Sequence, residues 1–248
     1  MRMNEGRRVP LLSGHLAGGA LFLSCALTLL TACGRPIHVW EAHTYATPLP
    51  SSFTASALGQ ELVVALLPAT YAHLQGYIPM VSHALMAACG EMGPALQLIP
   101  ERETFNRINH LQLSDEYADT DTTYAASHLL SESRLKKLGS ALEVKYVLQP
   151  GFAYVTEDLE DKFEFGGFVF VKTRVTTIGL WFRLWDAQTG EFLLESNGAA
   201  TVAAGLFQGG AAVSLHETTK RLWKQMIQEA VFGGKTTSHT LLKDAPGL

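Results

Sequence analysis

Cysteine is scarce: three in 248 residues, at Cys25, Cys33 and Cys89, which is too few for a disulfide framework. Catalytic signatures are missing as well. There is no G-x-S-x-G nucleophile turn, and the glycine-rich stretch Gly205 to Gly210 lacks the Gly-Lys-Ser/Thr ending of a phosphate loop. No repeat of 20 to 50 residues is visible. Basic charge is not concentrated anywhere: 19 Lys and Arg stand against 23 Asp and Glu, so nucleic acid is not an expected partner.

What is present begins at the amino terminus. Arg2, Arg7 and Arg8 precede a stretch from Val9 to Gly34 without Lys, Arg, Asp or Glu, a basic region followed by an apolar one. The run contains Gly14, Gly18 and Gly19 and stops at Leu30-Thr31-Ala32-Cys33, whereas a membrane helix needs about 20 strongly apolar residues. Leucine three residues before a cysteine, with small residues between, resembles the bacterial lipobox. Cleavage after Ala32 would leave Cys33 as the first mature residue, carrying thioether-linked diacylglycerol and an acylated amine. Cys25 follows Phe22-Leu23-Ser24 and lacks the leucine; Arg7-Arg8 lacks the flanking residues of a twin-arginine signal. Removing Arg2, Glu5, Arg7 and Arg8 leaves 16 basic and 22 acidic residues, a mature charge of −6. Cys89 then stands without an intrachain partner, and the acyl chains on Cys33 suffice for stable anchoring. Gly34, rather than aspartate, in the second mature position points, in a Gram-negative cell, to sorting to the outer membrane, on its periplasmic face.

The expected division is a signal peptide over 1–32, a flexible tether over 33–58 rich in Pro, Ser and Thr, one folded domain over 59–232, and a disordered tail over 233–248. Within the domain, the apolar run 61–69 reads as a strand covered on both faces. Ile78, Val81, Leu85, Cys89 and Met92 share a helical stripe. A short strand is expected at 95–99, and a helix follows with Phe105, Ile108 and Leu111 at helical spacing. A further helix has Leu135, Leu138 and Leu142 facing inward and leads into a strand over 144–148. In the C-terminal half, Ile178, Leu180, Phe182 and Leu184 alternate with Thr177, Trp181, Arg183 and Trp185. The turn Asp186 to Gly190 then makes this a long antiparallel hairpin over 175–195. A final helix carries Leu215, Leu222, Met226 and Ala230 on one side. The fold class is α/β: a single domain with a mixed sheet and helices packed on it.

The constellations that suggest chemistry fall short of it. His216-Glu217 opens like a zinc-protease helix, but Lys220 stands where the second histidine must be. Asp115, Glu116, Asp119 and Asp121 lack the glycine and terminal glutamate of an EF-hand. Glu157, Asp158, Glu160 and Asp161 read as a solvated loop between strands. Cys89, on an apolar stripe, reads as a small core residue. The chain is therefore expected not to be an enzyme, with no catalytic residue, cofactor or metal assigned.

The order of elements resembles a group of bacterial envelope lipoproteins: the curli-secretion CsgG-like proteins, the LpoB-like activators of penicillin-binding proteins, and relatives sharing the amino-terminal α/β fold of TolB. The resemblance rests on a first strand ending in Pro68, the passage Ile99-Pro100-Glu101-Arg102, a helix end at Lys-Leu-Gly139 feeding a Tyr146-Val147 strand, and the Asp186-x-x-Thr189-Gly190-Glu191 hairpin. It covers residues 60–231. It implies a non-enzymatic, membrane-anchored lipoprotein that binds a periplasmic protein in envelope assembly. The alternative it implies is a CsgG-like subunit of an oligomeric outer-membrane secretion channel, with homo-oligomers to match. Trp181, Arg183 and Trp185 form the candidate partner surface if one face of their strand is open; otherwise the tryptophans are core.

Overall fold

The computed structural model describes residues 38–51, 53, 55, 64–66, 76–96, 98–115, 117–118, 130–165, 168–205, 213–234 and 239–242. The elements in order are β1 (His38–Ala46), β2 (Val64–Leu66), α1 (Ile78–Glu91), β3 (Leu98–Ile99), α2 (Glu101–His110), α3 (Glu132–Leu142), β4 (Tyr146–Phe165), β5 (Phe168–Asp186), β6 (Phe192–Gly205), α4 (Leu215–Ala230) and β7 (His239–Leu242). They form one seven-stranded sheet in the order β3-β2-β4-β5-β6-β1-β7. β2 is parallel to β3 and to β4, and every other pairing is antiparallel. The mixed α/β class is as the sequence implied.

Strand β5 is apolar on both parities, and the sheet buries both. Ile178, Leu180, Phe182 and Leu184 join Trp40, Ala42, Leu85, Cys89, Leu222, Trp223 and Met226 in a core beneath α1 and α4. Trp181 and Trp185 join Ile99, Ile108, Leu135, Leu138, Leu142 and Val147 in a second core beneath α2 and α3. The β5–β6 turn is fixed by Asp186, whose Oδ1 accepts from the N–H groups of Gln188 and Thr189 at 2.8 Å each. Gly190 takes φ +80° there, a region that side chains with a Cβ avoid.

Several expectations are corrected. The tether predicted over 33–58 is a strand from His38 to Ala46, paired with β6 along its whole length, because Trp40 and Ala42 have core to fill. The predicted tail contains β7, paired with β1 from His38↔Leu242 to Glu41↔His239. Glu157, Asp158, Glu160 and Asp161 lie not in a loop but within β4, paired with β5 opposite Thr176, Val175, Thr173 and Lys172. Helix α3 runs past Gly139 to Leu142 and ends on Glu143 in the left-handed region, φ 57°. Gly139 sits inside the helix because a Cβ there would collide with Ala187 of the β5–β6 turn. Leu111 lies in the turn after α2, exposed rather than inward. The positions of Pro68, Glu116, Asp119 and Asp121 lie outside the described residues.

Candidate functional site

Cys33 and the lipobox residues Leu30, Thr31 and Ala32 also lie outside the described residues. Of the candidate partner surface, the two tryptophans are core: Trp181 is 7% exposed and Trp185 5%. Helices α2 and α3 cover that end of the sheet, which removes both rings from any contact surface. Arg183 is different. It is half-buried, its Nε donates to Glu195 Oε2 at 2.7 Å, and its guanidinium stands 5.3 Å from the Trp181 ring centre. Burial opposes ionisation of Glu195, but the hydrogen bonds from Asn197 and Arg183 and the guanidinium charge outweigh it and hold the carboxyl below its ordinary value.

Arg183 and Glu195 mark where helix cover ends. Beyond them, across β4, β5, β6 and β1, the face that carries Trp181 is open among the described residues. Registered across it are Tyr154, Gly179, Ala199 and His43, and next to them Thr156, Thr177, Thr201 and Glu41. Tyr45 is 67% exposed and is registered with Asn197; His43 Nε2 and Glu41 Oε1 are 3.1 Å apart. Thr177 and Thr201 share a hydroxyl hydrogen bond of 3.1 Å. Two glycines shape this surface: the Trp181 indole occupies the space a Cβ on Gly151 would need, and the Tyr154 ring does the same at Gly179. Both rings therefore lie against backbone. The face offers an exposed tyrosine, a second half-open tyrosine, and polar groups of both signs. Aromatic and polar groups of this kind can contact a protein surface.

The opposite helix layer carries a separate polar cluster. Lys220 lies between Glu91 and Glu217, with Nζ–O distances of 2.8 Å to each, and Lys224 reaches Glu91 at 2.9 Å. Those two lysines draw the Glu91 carboxyl down to about 2. Burial acts against ionisation of Glu217, yet its bonds to Lys220 and Arg221 prevail and its value is lowered. The Ser214 hydroxyl accepts from the Glu217 N–H and caps α4. His216, one residue before Glu217, has its Nε2 2.9 Å from Nδ1 of His83 on α1, a neighbour that sequence reasoning missed. Cys89 is buried, and burial pushes its thiol up to about 12, as suits a small core residue. Among the described residues no cluster of three or more His, Cys, Asp or Glu is placed to hold a metal, and no helix is long and apolar enough to cross a membrane.

No family model matches the chain, and no curated protein matches it by sequence. Among solved structures, it is similar to a PelC dodecamer from Paraburkholderia phytofirmans at 14% identity, covering 75% of this chain and 94% of that one, with a TM-score of 0.37. Similarity also extends to a lipoprotein from Neisseria meningitidis at 13% identity, covering 60% and 88%, TM-score 0.30. The C-terminal domain of LpoB from Salmonella enterica matches at 16% identity, covering 60% and 85%, TM-score 0.32. Superpositions this loose carry no reading of the site, which rests on the geometry above.

Proposed function

We propose that this chain is a lipoprotein of the outer membrane, held on the periplasmic face by a lipidated Cys33, that acts without catalysis by binding a periplasmic protein in envelope assembly, as an LpoB-like activator does. The observation that carries the proposal is Leu30-Thr31-Ala32-Cys33 behind a basic and then apolar leader. The fold adds an orientation. Four residues, 34 to 37, separate Cys33 from His38, so the start of β1 lies within about 18 Å of the anchored Cα, at about 3.6 Å for each of five steps. On this reading the membrane-proximal end of the sheet is the one where His38 is level with Ala204, and Gly205 with Thr173. Tyr45, Asn197 and Arg183 lie toward the other end. Seven steps of strand, about 23 Å at about 3.3 Å each, separate Tyr45 from His38, so the open face presents its aromatic and charged groups away from the bilayer and toward a periplasmic partner.

The channel alternative has one observation in its favour: the β4–β5 hairpin overhangs the sheet at this same proximal end, with Asp161↔Lys172 to Phe165↔Phe168 beyond the last β5–β6 pair at Thr173. That overhang is about five residues per strand, against the 9 to 11 a membrane strand needs. A photo-crosslinking residue at Tyr45 or His43, compared with one at the exposed Leu111 in the turn after α2, tests the binding reading in living cells. A discrete heterologous adduct from the first two positions and none from Leu111 is expected. Adducts of equal yield from all three, or only self-adducts of ring size, would overturn it.

A further inference from the structure

We propose that His83 and His216 form a two-histidine site for a divalent transition ion, namely copper(II), nickel(II) or zinc(II), which would cross-link α1 to α4. The sequence leaves His216 without a metal partner because Lys220 replaces the histidine four residues on, and the structure gives Lys220 to Glu91 and Glu217 instead. The second imidazole comes from the other helix. Its Nδ1 is 2.9 Å from His216 Nε2, and the ring centres are 5.0 Å apart with planes inclined at 45°.

Those distances suit an ion. A metal–nitrogen bond is about 2.1 Å, and the ring centre lies about 1.1 Å behind the ligating nitrogen. Two imidazoles on one ion then have ring centres about 4.5 Å apart at a right angle and about 5.2 Å apart at a tetrahedral angle. The observed 5.0 Å falls inside that interval. Ring rotation is required, together with a tautomer change at whichever imidazole now donates the 2.9 Å hydrogen bond, its proton moving to the other ring nitrogen, so that both bare nitrogens meet at a common point. His83 is exposed and His216 half-buried, so an ion from solvent reaches both. Imidazole is the ligand these borderline ions favour over calcium or magnesium. Glu217 is not a third ligand, because Lys220 and Arg221 already hold its carboxylate. The remaining coordination positions belong to water or to a donor from outside the chain. Ligation needs both rings neutral, so affinity falls as the solution is acidified.

The test uses the full chain in detergent, stripped with chelator, titrated with nickel(II), copper(II) and zinc(II) by calorimetry, with the melting temperature followed in parallel. One saturable site per chain is expected, with a metal-dependent rise in melting temperature. His83→Gln and His216→Gln should each lose at least tenfold in affinity and lose the rise, while His43→Gln, at a histidine on the opposite face of the sheet, should keep both. The metal-free melting temperature of each variant separates ligation from a merely structural hydrogen bond, which would lower that baseline and leave the metal response intact. No saturable binding in the wild type, or binding retained in both His83→Gln and His216→Gln, overturns the proposal.

Discussion

Replacing Trp181 by alanine separates a core ring from an exposed anchor, and pairing that change with Gly151→Ala makes the separation quantitative. Trp181 is 7% exposed and belongs to the core cluster that holds Ile99, Leu135, Leu138 and Val147. Emptying such a site costs about 3–5 kcal/mol. With a urea m-value of about 2 kcal/mol/M, the midpoint should fall by about 2 M. Gly151 is registered directly opposite, and a Cβ there would enter the Trp181 indole, so Gly151→Ala alone should cost about 1–3 kcal/mol through overpacking. The indole is what the added methyl meets. In the double variant the methyl therefore enters vacated space, and the two losses should fall short of their sum by about 1–3 kcal/mol. Equilibrium urea unfolding of the four proteins, followed by circular dichroism, measures that coupling. An unchanged midpoint for Trp181→Ala, or strictly additive losses, would refute the packing argument.

Cys89 should resist an aromatic disulfide reagent in the folded protein and react fully in denaturant, since burial pushes its thiol up to about 12; rapid native labelling would contradict this. Glu91 is drawn down to about 2 by Lys220 and Lys224, so its contribution to stability is complete above the ordinary carboxylate range of about 4 and fades as pH falls toward 2. Glu91→Gln should therefore flatten the loss of stability between pH 6 and pH 2. The effect is small because Glu91 itself is exposed, and an unchanged acid slope would count against it. Deleting residues 34–46 removes Trp40 and Ala42 from the core and one neighbour from β6. It should lower the melting temperature by many degrees, whereas loss of a mere tether would leave melting unchanged.

How much of this could be read in advance depends on the range of the signal. The β5–β6 hairpin was legible because Ile178 to Trp185 alternate without a break and Asp186 to Gly190 spell the turn locally. Cys89 was legible for the same reason, from its helical stripe. Strand β1 was not: the alternation of Trp40 and Ala42 with Glu41 and His43 is there to read, but it is brief, borders a Pro- and Ser-rich stretch, and pairs with residues 150 or more positions later. The acidic run at Glu157 to Asp161 reads as loop because carboxylates disfavour strands, and only cross-strand pairing with β5 overrides that preference. Whether Trp181 and Trp185 were core or contact surface could not follow from parity, since both parities of β5 are apolar; the placement of α2 and α3 decided it. His83 and His216 are 133 residues apart, and no local spacing links them.

The most direct test of the account is metabolic labelling with a palmitate analogue, followed by fractionation of the two membranes. The wild type should carry the label and sediment with the outer membrane, and Cys33→Ala should be unlabelled and no longer held there by lipid. A labelled Cys33→Ala protein, or a wild type without label, would contradict the anchored, periplasm-facing arrangement on which the binding reading depends.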